Sequence, residues 1–323
     1  MEDEYSISHA GRLLAVFDGH GGSQVSKHLR QTLPGRFDRA LRAGSAEARV
    51  NQASAAEVEV ALSQALRGAA RDVERKPTWQ YQGTTAVCVY VHDEGAGDAG
   101  EEGEEGGGAD ASTDDKWKGR TLVVANVGDS RAVLSRGRKA LDLTTDHKPN
   151  DKKERERVEK LGGTVQWHGY FDARKRPIPG TGVWRINGNL AVARAIGDAS
   201  EQPFVGSEAD TGRTRCTRED EFVVLASDGL WDVMGSQEAV SFVHQTLSGS
   251  VGALVTGANE TKAAATQMSR WASEHTDDVD LIRAALEKRK KRMGKILAEE
   301  AMRRGSGDNI CVMVLWLKSG NRR

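Results

Sequence analysis

The feature of this sequence that most constrains its fold is a pattern that occurs four times. In each case an aspartate stands beside a glycine at one end of an apolar run. The four aspartates are Asp18 after residues 13–17, Asp228 after 222–226, Asp308 before 310–317, and Asp129 between 121–127 and 131–134. Runs that are apolar almost throughout are typical of β-strands covered on both faces. If these strands share one edge of a sheet, the four carboxylates converge there.

Carboxylates that converge repel one another unless a cation lies among them. Hard oxygen ligands suit Mg²⁺ or Mn²⁺, and no clustered His/Cys spacing favours zinc. The alternative is that each Asp-Gly pair is an ordinary turn, which is a fair explanation for any one of them alone. Taken together, the four favour a site for divalent cations.

The remaining pattern predicts alternating strands and helices in a single domain over residues 1–323. A further strand is predicted at 84–91, and residues 126–131 are interpreted as a hairpin turn with an acidic tip. Helices are predicted at 23–33, 54–74, 151–161, 236–247 and 278–304. Residues 92–118 are dominated by Gly, Asp and Glu, which predicts a disordered acidic insertion that caps a hairpin.

Composition excludes several classes of function. Lys and Arg (46) nearly balance Asp and Glu (47), giving a net charge of -1, which argues against a nucleic-acid binder and disfavours a metal-dependent nuclease.

No apolar run approaches the roughly 20 residues of a membrane span, and the polar N-terminus is no secretory signal. The three cysteines are widely spaced, as expected of a reducing compartment. We predict an intracellular protein, cytoplasmic or nuclear, with no nucleic-acid or membrane partner. The basic run 288–292 is either a nuclear signal or a solvated helix face.

An ordered series of motifs resembles the metal-dependent (type 2C) serine/threonine protein phosphatases. The motifs span nearly the whole chain in the family's order. They are VFDGHGG (16–22), GTTA (83–86), NVGDSR (126–131), DHKP (146–149), LAVARAIGD (190–198), SDGLWDV (227–233) and GDN (307–309). The resemblance implies an α+β fold, a four-layer sandwich of two antiparallel β-sheets flanked by helices on both outer faces. It also implies hydrolysis of phosphoserine and phosphothreonine in proteins, in signal transduction, by water activated between two Mg²⁺ or Mn²⁺ ions.

The resemblance also assigns roles to individual residues. Asp18 would bridge two metal ions and act in catalysis, the carbonyl of Gly19 would complete the first site, and Asp228 and Asp308 would hold the second ion. The other implied roles are a weaker third ion for Asp129 and Asp232, metal-bound water for Glu2 and Asp3, and general acid for His20. The alternative for His20 is a histidine that merely fills a turn.

The chain departs from the family pattern at its N-terminus. The arginine that clasps the substrate phosphate in the family lies upstream of the acidic pair, and this chain starts at Met1-Glu2-Asp3. We therefore expect an N-terminally truncated domain with weakened phosphate binding, and the substrate-binding residues stay unknown. The variable flap at 166–188, basic and aromatic, would engage phosphopeptides or be a solvated loop. The expected protein is a monomer that acts on phosphorylated proteins; the alternative is a catalytically weak regulatory module that binds phosphoproteins.

Overall fold

Two antiparallel sheets stack face to face at the centre of the molecule. The computed structural model describes residues 1–44, 53–93, 119–178, 180–248 and 279–317. Its strands are β1 (Glu4–Ser8), β2 (Leu13–Phe17), β3 (Gly19–His20), β4 (Gly83–Thr84), β5 (Ala86–Asp93), β6 (Arg120–Val127), β7 (Arg131–Arg136), β8 (Lys139–Asp142), β9 (Val165–His168), β10 (Val183–Ile186), β11 (Ile196–Gly197), β12 (Asp210–Arg215), β13 (Asp220–Ala226) and β14 (Val312–Trp316). Its helices are α1 (Gln24–Gly44), α2 (Ala55–Glu74), α3 (Lys152–Lys160), α4 (Asp228–Trp231), α5 (Ser236–Leu247) and α6 (Val279–Arg303).

The order of strands defines the two large sheets. One has five strands in the order β1-β2-β5-β6-β12, and the other has four in the order β14-β13-β7-β8. Neighbouring strands in both are antiparallel. Two small sheets, β11-β4-β3 and β10-β9, lie outside this sandwich.

Strand β2 shows why its sequence is apolar without alternation. Leu13, Ala15 and Phe17 point into a core shared with α1 and α2, while Leu14 and Val16 point into the core between the two sheets. Because successive side chains of a strand face opposite sides, a strand covered on both faces must be apolar at every position.

The outer layers are helical on both sides. Helices α1 and α2 cover the five-stranded sheet, and α5 and α6 cover the four-stranded one, where Val240 and Val243 share a core with Met293 and Leu297. The predicted α+β four-layer sandwich is confirmed.

Helix α1 extends beyond the predicted end at residue 33. It continues to Gly44 with Pro34 inside it. Proline removes one backbone hydrogen bond, but Phe37 and Leu41 beyond it are buried in the core. Burying two such side chains stabilises by about 2 kcal/mol each, which offsets the lost hydrogen bond.

The predicted strand at 84–91 is interrupted at Thr85. Its backbone N–H donates to the carbonyl of Asp18 at 2.8 Å, so Gly83 and Thr84 join the small sheet and Ala86 starts a strand of the large one.

The hairpin interpretation of residues 126–131 is wrong, since β6 and β7 lie in different sheets and the connection crosses between them. Gly128 makes this crossing with φ of 103°, a conformation that favours glycine.

As predicted, the strands on either side of the acidic insertion form a hairpin. Asp93 at the end of β5 pairs with Arg120 at the start of β6, whereas residues 94–118 lie outside the described residues. Cys88, Cys216 and Cys311 are buried free thiols. Within the described part of the chain, no helix is both long and apolar enough to cross a bilayer.

Candidate active site

Aspartates from distant parts of the chain meet at one rim of the sandwich. Asp18 follows β2 of one sheet, and Asp228 begins α4, separated by Ser227 from β13 of the other. Their carboxyl groups lie close enough together that each shifts the pKa of the other. Asp3 contacts the carboxyl group of Asp18 and accepts a hydrogen bond of 2.8 Å from the Ser227 hydroxyl.

The other predicted ligands surround this pair. Asp129, buried on the crossover between β6 and β7, lies close enough to Asp228 for their charges to interact. Asp308 is exposed, and its charge acts on Asp3 and Asp228. Asp232 is more than half exposed, one turn after Asp228. These six residues are called the acidic cluster below: Asp3, Asp18, Asp129, Asp228, Asp232 and Asp308.

Burial and mutual repulsion raise the pKa of buried carboxyl groups in the acidic cluster. Burial, followed by the charges of Asp228, Asp3 and Asp129, raises the pKa of Asp18 to about 11. Burial is also the main cause that raises the pKa of Asp3 to about 6 and that of Asp129 to about 7. The carboxylates can therefore all be ionised at neutral pH only if a cation lies among them.

Buried oxygen atoms without a partner point to a site that accepts such a cation. The Oδ1 atoms of Asp3, Asp129 and Asp228 are buried and make no hydrogen bond. Among the described residues, no three acidic, histidine or cysteine side chains are already spaced as metal ligands. Asp18 and Asp228 nevertheless lie against each other, and two carboxyl groups approach closely only with a proton or a cation between them. The donors are carboxylate oxygens, which fit Mg²⁺ or Mn²⁺.

Gly19 lets the N-terminal segment approach the cluster closely. A Cβ on this residue would lie 2.6 Å from the carbonyl oxygen of Glu2 and 2.8 Å from the Ser26 hydroxyl. The Ser26 hydroxyl donates to that carbonyl at 2.6 Å, which fixes Glu2 and Asp3 beside α1. The side chain of Glu2 is half-buried, and its charge reaches His20.

His20 forms a pair with an aspartate that the sequence analysis did not assign. Its Nε2 atom lies 2.7 Å from Oδ2 of the buried Asp198. Burial acts to lower the pKa of His20, but the hydrogen bond and charge of Asp198 outweigh it and raise that pKa. Gly197-Asp198 is a fifth glycine-aspartate pair at the end of an apolar run, a signal that could have identified it.

Lys148 is a second residue that the sequence analysis left without a role, although it lies in the DHKP motif. Its Nζ atom is 3.0 Å from Oδ1 of Asp232. Burial acts to lower the pKa of Lys148, and the charges of Asp129 and Asp232 raise it. In the same motif, Asp146 accepts two hydrogen bonds from Arg131, at 2.9 and 2.6 Å.

The flap predicted at 166–188 contains β9, β10 and the loop between them. Trp167 and Trp184 pack together with ring centroids 5.6 Å apart, and the Arg155 guanidinium lies 5.0 Å from the Trp184 ring centroid. Tyr170 and Phe171 in the connecting loop are exposed. The tryptophans are thus structural, and the exposed rings stay available for contact with a ligand.

Comparisons with known proteins agree on one family. Residues 3–275 match the sequence profile of the family described as Protein phosphatase 2C. A rice protein called probable protein phosphatase 2C 8 is 34% identical over 315 residues, which cover 94% of this chain and 62% of that protein. Probable protein phosphatase 2C 69 of Arabidopsis thaliana is 36% identical over 62% of this chain and 42% of its own length. The chain thus spans less than two thirds of these relatives.

Solved structures share the fold at low sequence identity. A serine-threonine phosphatase 2C from Toxoplasma gondii has a TM-score of 0.59 and 20% identity, covering 98% of this chain and 90% of that one. A sex-determining protein of C. elegans has a TM-score of 0.65 and 23% identity, covering 98% of this chain and 61% of that one.

Proposed function

Because this chain belongs to the protein phosphatase 2C family, we propose that it removes phosphate from phosphoserine and phosphothreonine in proteins, using two Mg²⁺ or Mn²⁺ ions bound by the acidic cluster. The observation that carries this proposal is the contact between Asp18 and Asp228. Two carboxyl groups that follow strands of different sheets lie against each other at one rim, beside buried oxygen atoms that have no partner. Such an arrangement is unfavourable without a cation.

The proposed ligand roles are those that the family resemblance implies. Asp18 would contact both ions, with the Gly19 carbonyl at the first and Asp228 and Asp308 at the second. Asp129 and Asp232 would hold a weaker third ion, and Glu2 and Asp3 would hold metal-bound water. Bound ions of this kind lower the pKa of a coordinated water and neutralise charge on the phosphoryl oxygens.

His20 is the proposed general acid. Its Nε2 atom pairs with Asp198, which leaves Nδ1 to carry the proton that the leaving serine or threonine oxygen receives. A general acid must hold its proton at the working pH, and the raised pKa of His20 favours this. Nothing in the described residues favours the alternative of a catalytically weak binding module.

Phosphate release from a phosphothreonine peptide tests the proposal. We expect release that requires Mn²⁺ or Mg²⁺, stops with EDTA, and falls at least about a hundredfold in Asp228→Asn. Asp142→Asn, an exposed aspartate on β8, is the matched control and should retain activity. Mn²⁺ binding without metal-stimulated release would contradict the proposed enzyme and favour the binding module.

A further inference from the structure

A lysine faces the outer half of the acidic cluster. The Nζ atom of Lys148 is 3.0 Å from Oδ1 of Asp232. The positive charge of Lys148 also acts on Asp129 and Asp228, where it opposes the effects of burial and carboxylate repulsion. The side chain of Lys148 is about one third exposed, so its charge is partly shielded from water.

The backbone holds Lys148 against the loop that carries Asp129. The N–H of His147 donates to the carbonyl of Gly128 at 3.0 Å, and the N–H of Gly128 donates to Nδ1 of His147 at 3.0 Å. Pro149, which follows, is buried and has a restricted φ. Lys148 is therefore anchored at its backbone beside the cluster, and its ammonium group stays within reach of the same carboxylates.

A tethered ammonium and a divalent cation would compete for these oxygen atoms. Oδ1 of Asp129 and Oδ1 of Asp228 are buried without a partner, so they remain available to a further ligand. A divalent ion bound between Asp129 and Asp232 would lie beside the Lys148 ammonium and be repelled by it. The nearby guanidinium of Arg131 differs, since two of its hydrogen bonds go to Asp146.

We propose that Lys148 is a built-in counter-ion of the acidic cluster and that its ammonium lowers the affinity of the outer divalent site formed by Asp129 and Asp232. This inference rests on the proposed function, because it takes the cluster to bind divalent cations. In this arrangement the outer ion binds against the repulsion of Lys148 and competes with it for Asp232, whereas the inner ligands Asp18 and Asp308 make no ion pair with the lysine among the described contacts.

Binding of Mn²⁺ alone tests the inference without an activity measurement. Free Mn²⁺ is followed by electron paramagnetic resonance during titration of the full chain and of Lys148→Met, which keeps the length of the side chain without the charge. We expect the weakest site to bind about tenfold more tightly in the variant, with the tighter sites changed less than about twofold. Lys153→Met, an exposed lysine on α3, removes the same charge elsewhere and should leave all sites unchanged.

A variant that retains the charge distinguishes loss of the charge from misfolding. Lys148→Arg should keep the outer site weak, and circular dichroism should show that both variants are folded. An outer site that is unchanged or weaker in folded Lys148→Met overturns the inference. A wild-type chain that binds no Mn²⁺ contradicts the proposed function itself, and the two failures are thereby distinguishable.

Discussion

At the scale of single residues, the pairing of His20 with Asp198 decides whether the imidazole can act as an acid. Burial alone would favour a neutral ring, which has no proton to give to a leaving oxygen. Asp198 reverses this preference through a hydrogen bond of 2.7 Å and its charge. In the proposed mechanism Asp198 would thus be a positioning residue, since it would act through His20.

Removing the charge of Asp198 should therefore change the pH dependence as well as the rate. Asp198 raises the pKa of His20, so Asp198→Asn lowers it, and the protonated form is lost at a lower pH. We expect kcat to fall about a hundredfold and the alkaline limb of its pH profile to move to lower pH. Profiles of kcat against pH for wild type and variant measure both effects.

A matched control exists in the same chain. His9, in the turn between β1 and β2, and Asp38 on α1 form a similar pair, with Nε2 and Oδ1 2.9 Å apart. Asp38→Asn breaks that pair and should leave the pH profile unchanged. Equal effects of the two substitutions would show that Asp198 has only a structural role.

At the scale of elements, the small sheet β11-β4-β3 brings His20 and Asp198 together. Gly83 in β4 pairs with His20 on one side and Gly197 on the other. A Cβ on Gly83 would lie 2.1 Å from Oδ2 of Asp198 and 2.5 Å from Nε2 of His20. The strand pairing needs a residue without a side chain at this position.

Gly83→Ala should separate the pair while the large sheets stay intact. We expect a loss of kcat of about a hundredfold, comparable to that of Asp198→Asn, because the methyl group displaces the two polar atoms from each other. The control is Gly212→Ala on β12, where a Cβ would meet Val124 at an ordinary 3.5 Å. Measurements of kcat and thermal unfolding on both variants distinguish a local effect from general destabilisation. Full activity in Gly83→Ala would contradict this role of the small sheet.

Some elements could be predicted from local pattern and others could not. The bounds of strand β2 can be predicted from sequence, because an apolar run that ends at Asp18-Gly19 is a sufficient local signal for a strand. The connection at 126–131 was misassigned because an acidic turn between two strands looks the same whether they pair or lie in different sheets. Helix α1 was predicted too short because the burial of Phe37 and Leu41 depends on α2 and the sheet.

At the scale of the whole molecule, the same distinction applies to the site. The convergence of Asp18, Asp228 and Asp129 was predictable because each stands at a strand end beside glycine. The partners His20 and Asp198 are 178 residues apart, and Lys148 and Asp232 are 84 residues apart. No local pattern specifies which charged side chains meet over such distances, so these pairs required the structure.

The acidic cluster also links the stability of the fold to pH and to cations. Folding raises the pKa of Asp18 from 3.8 to about 11 and that of Asp129 from 3.8 to about 7. Between the unfolded and folded values, the native state binds more protons than the unfolded state, so the free energy of unfolding falls as pH rises. Each such proton contributes a slope of about 1.4 kcal/mol per pH unit.

From pH 7 to 8 the acidic cluster and His20, whose pKa is also raised, act in the same direction, and other groups act mostly outside this window. Buried histidines with lowered pKa, such as His147, lose their unfolded-state protons mostly below it, and the buried cysteines act mostly above it. We expect the Tm in EDTA to fall from pH 7 to 8, and saturating Mn²⁺ to raise the Tm and flatten this dependence, since a bound cation replaces the retained protons.

Asp18→Asn keeps a donor toward Asp228 without a titrating group, so it should raise the Tm in EDTA at pH 8 and lose the stabilisation by Mn²⁺. Asp142→Asn should behave as wild type, and a Tm in EDTA that rises between pH 7 and 8 would show that Asp18 does not retain its proton in the folded chain.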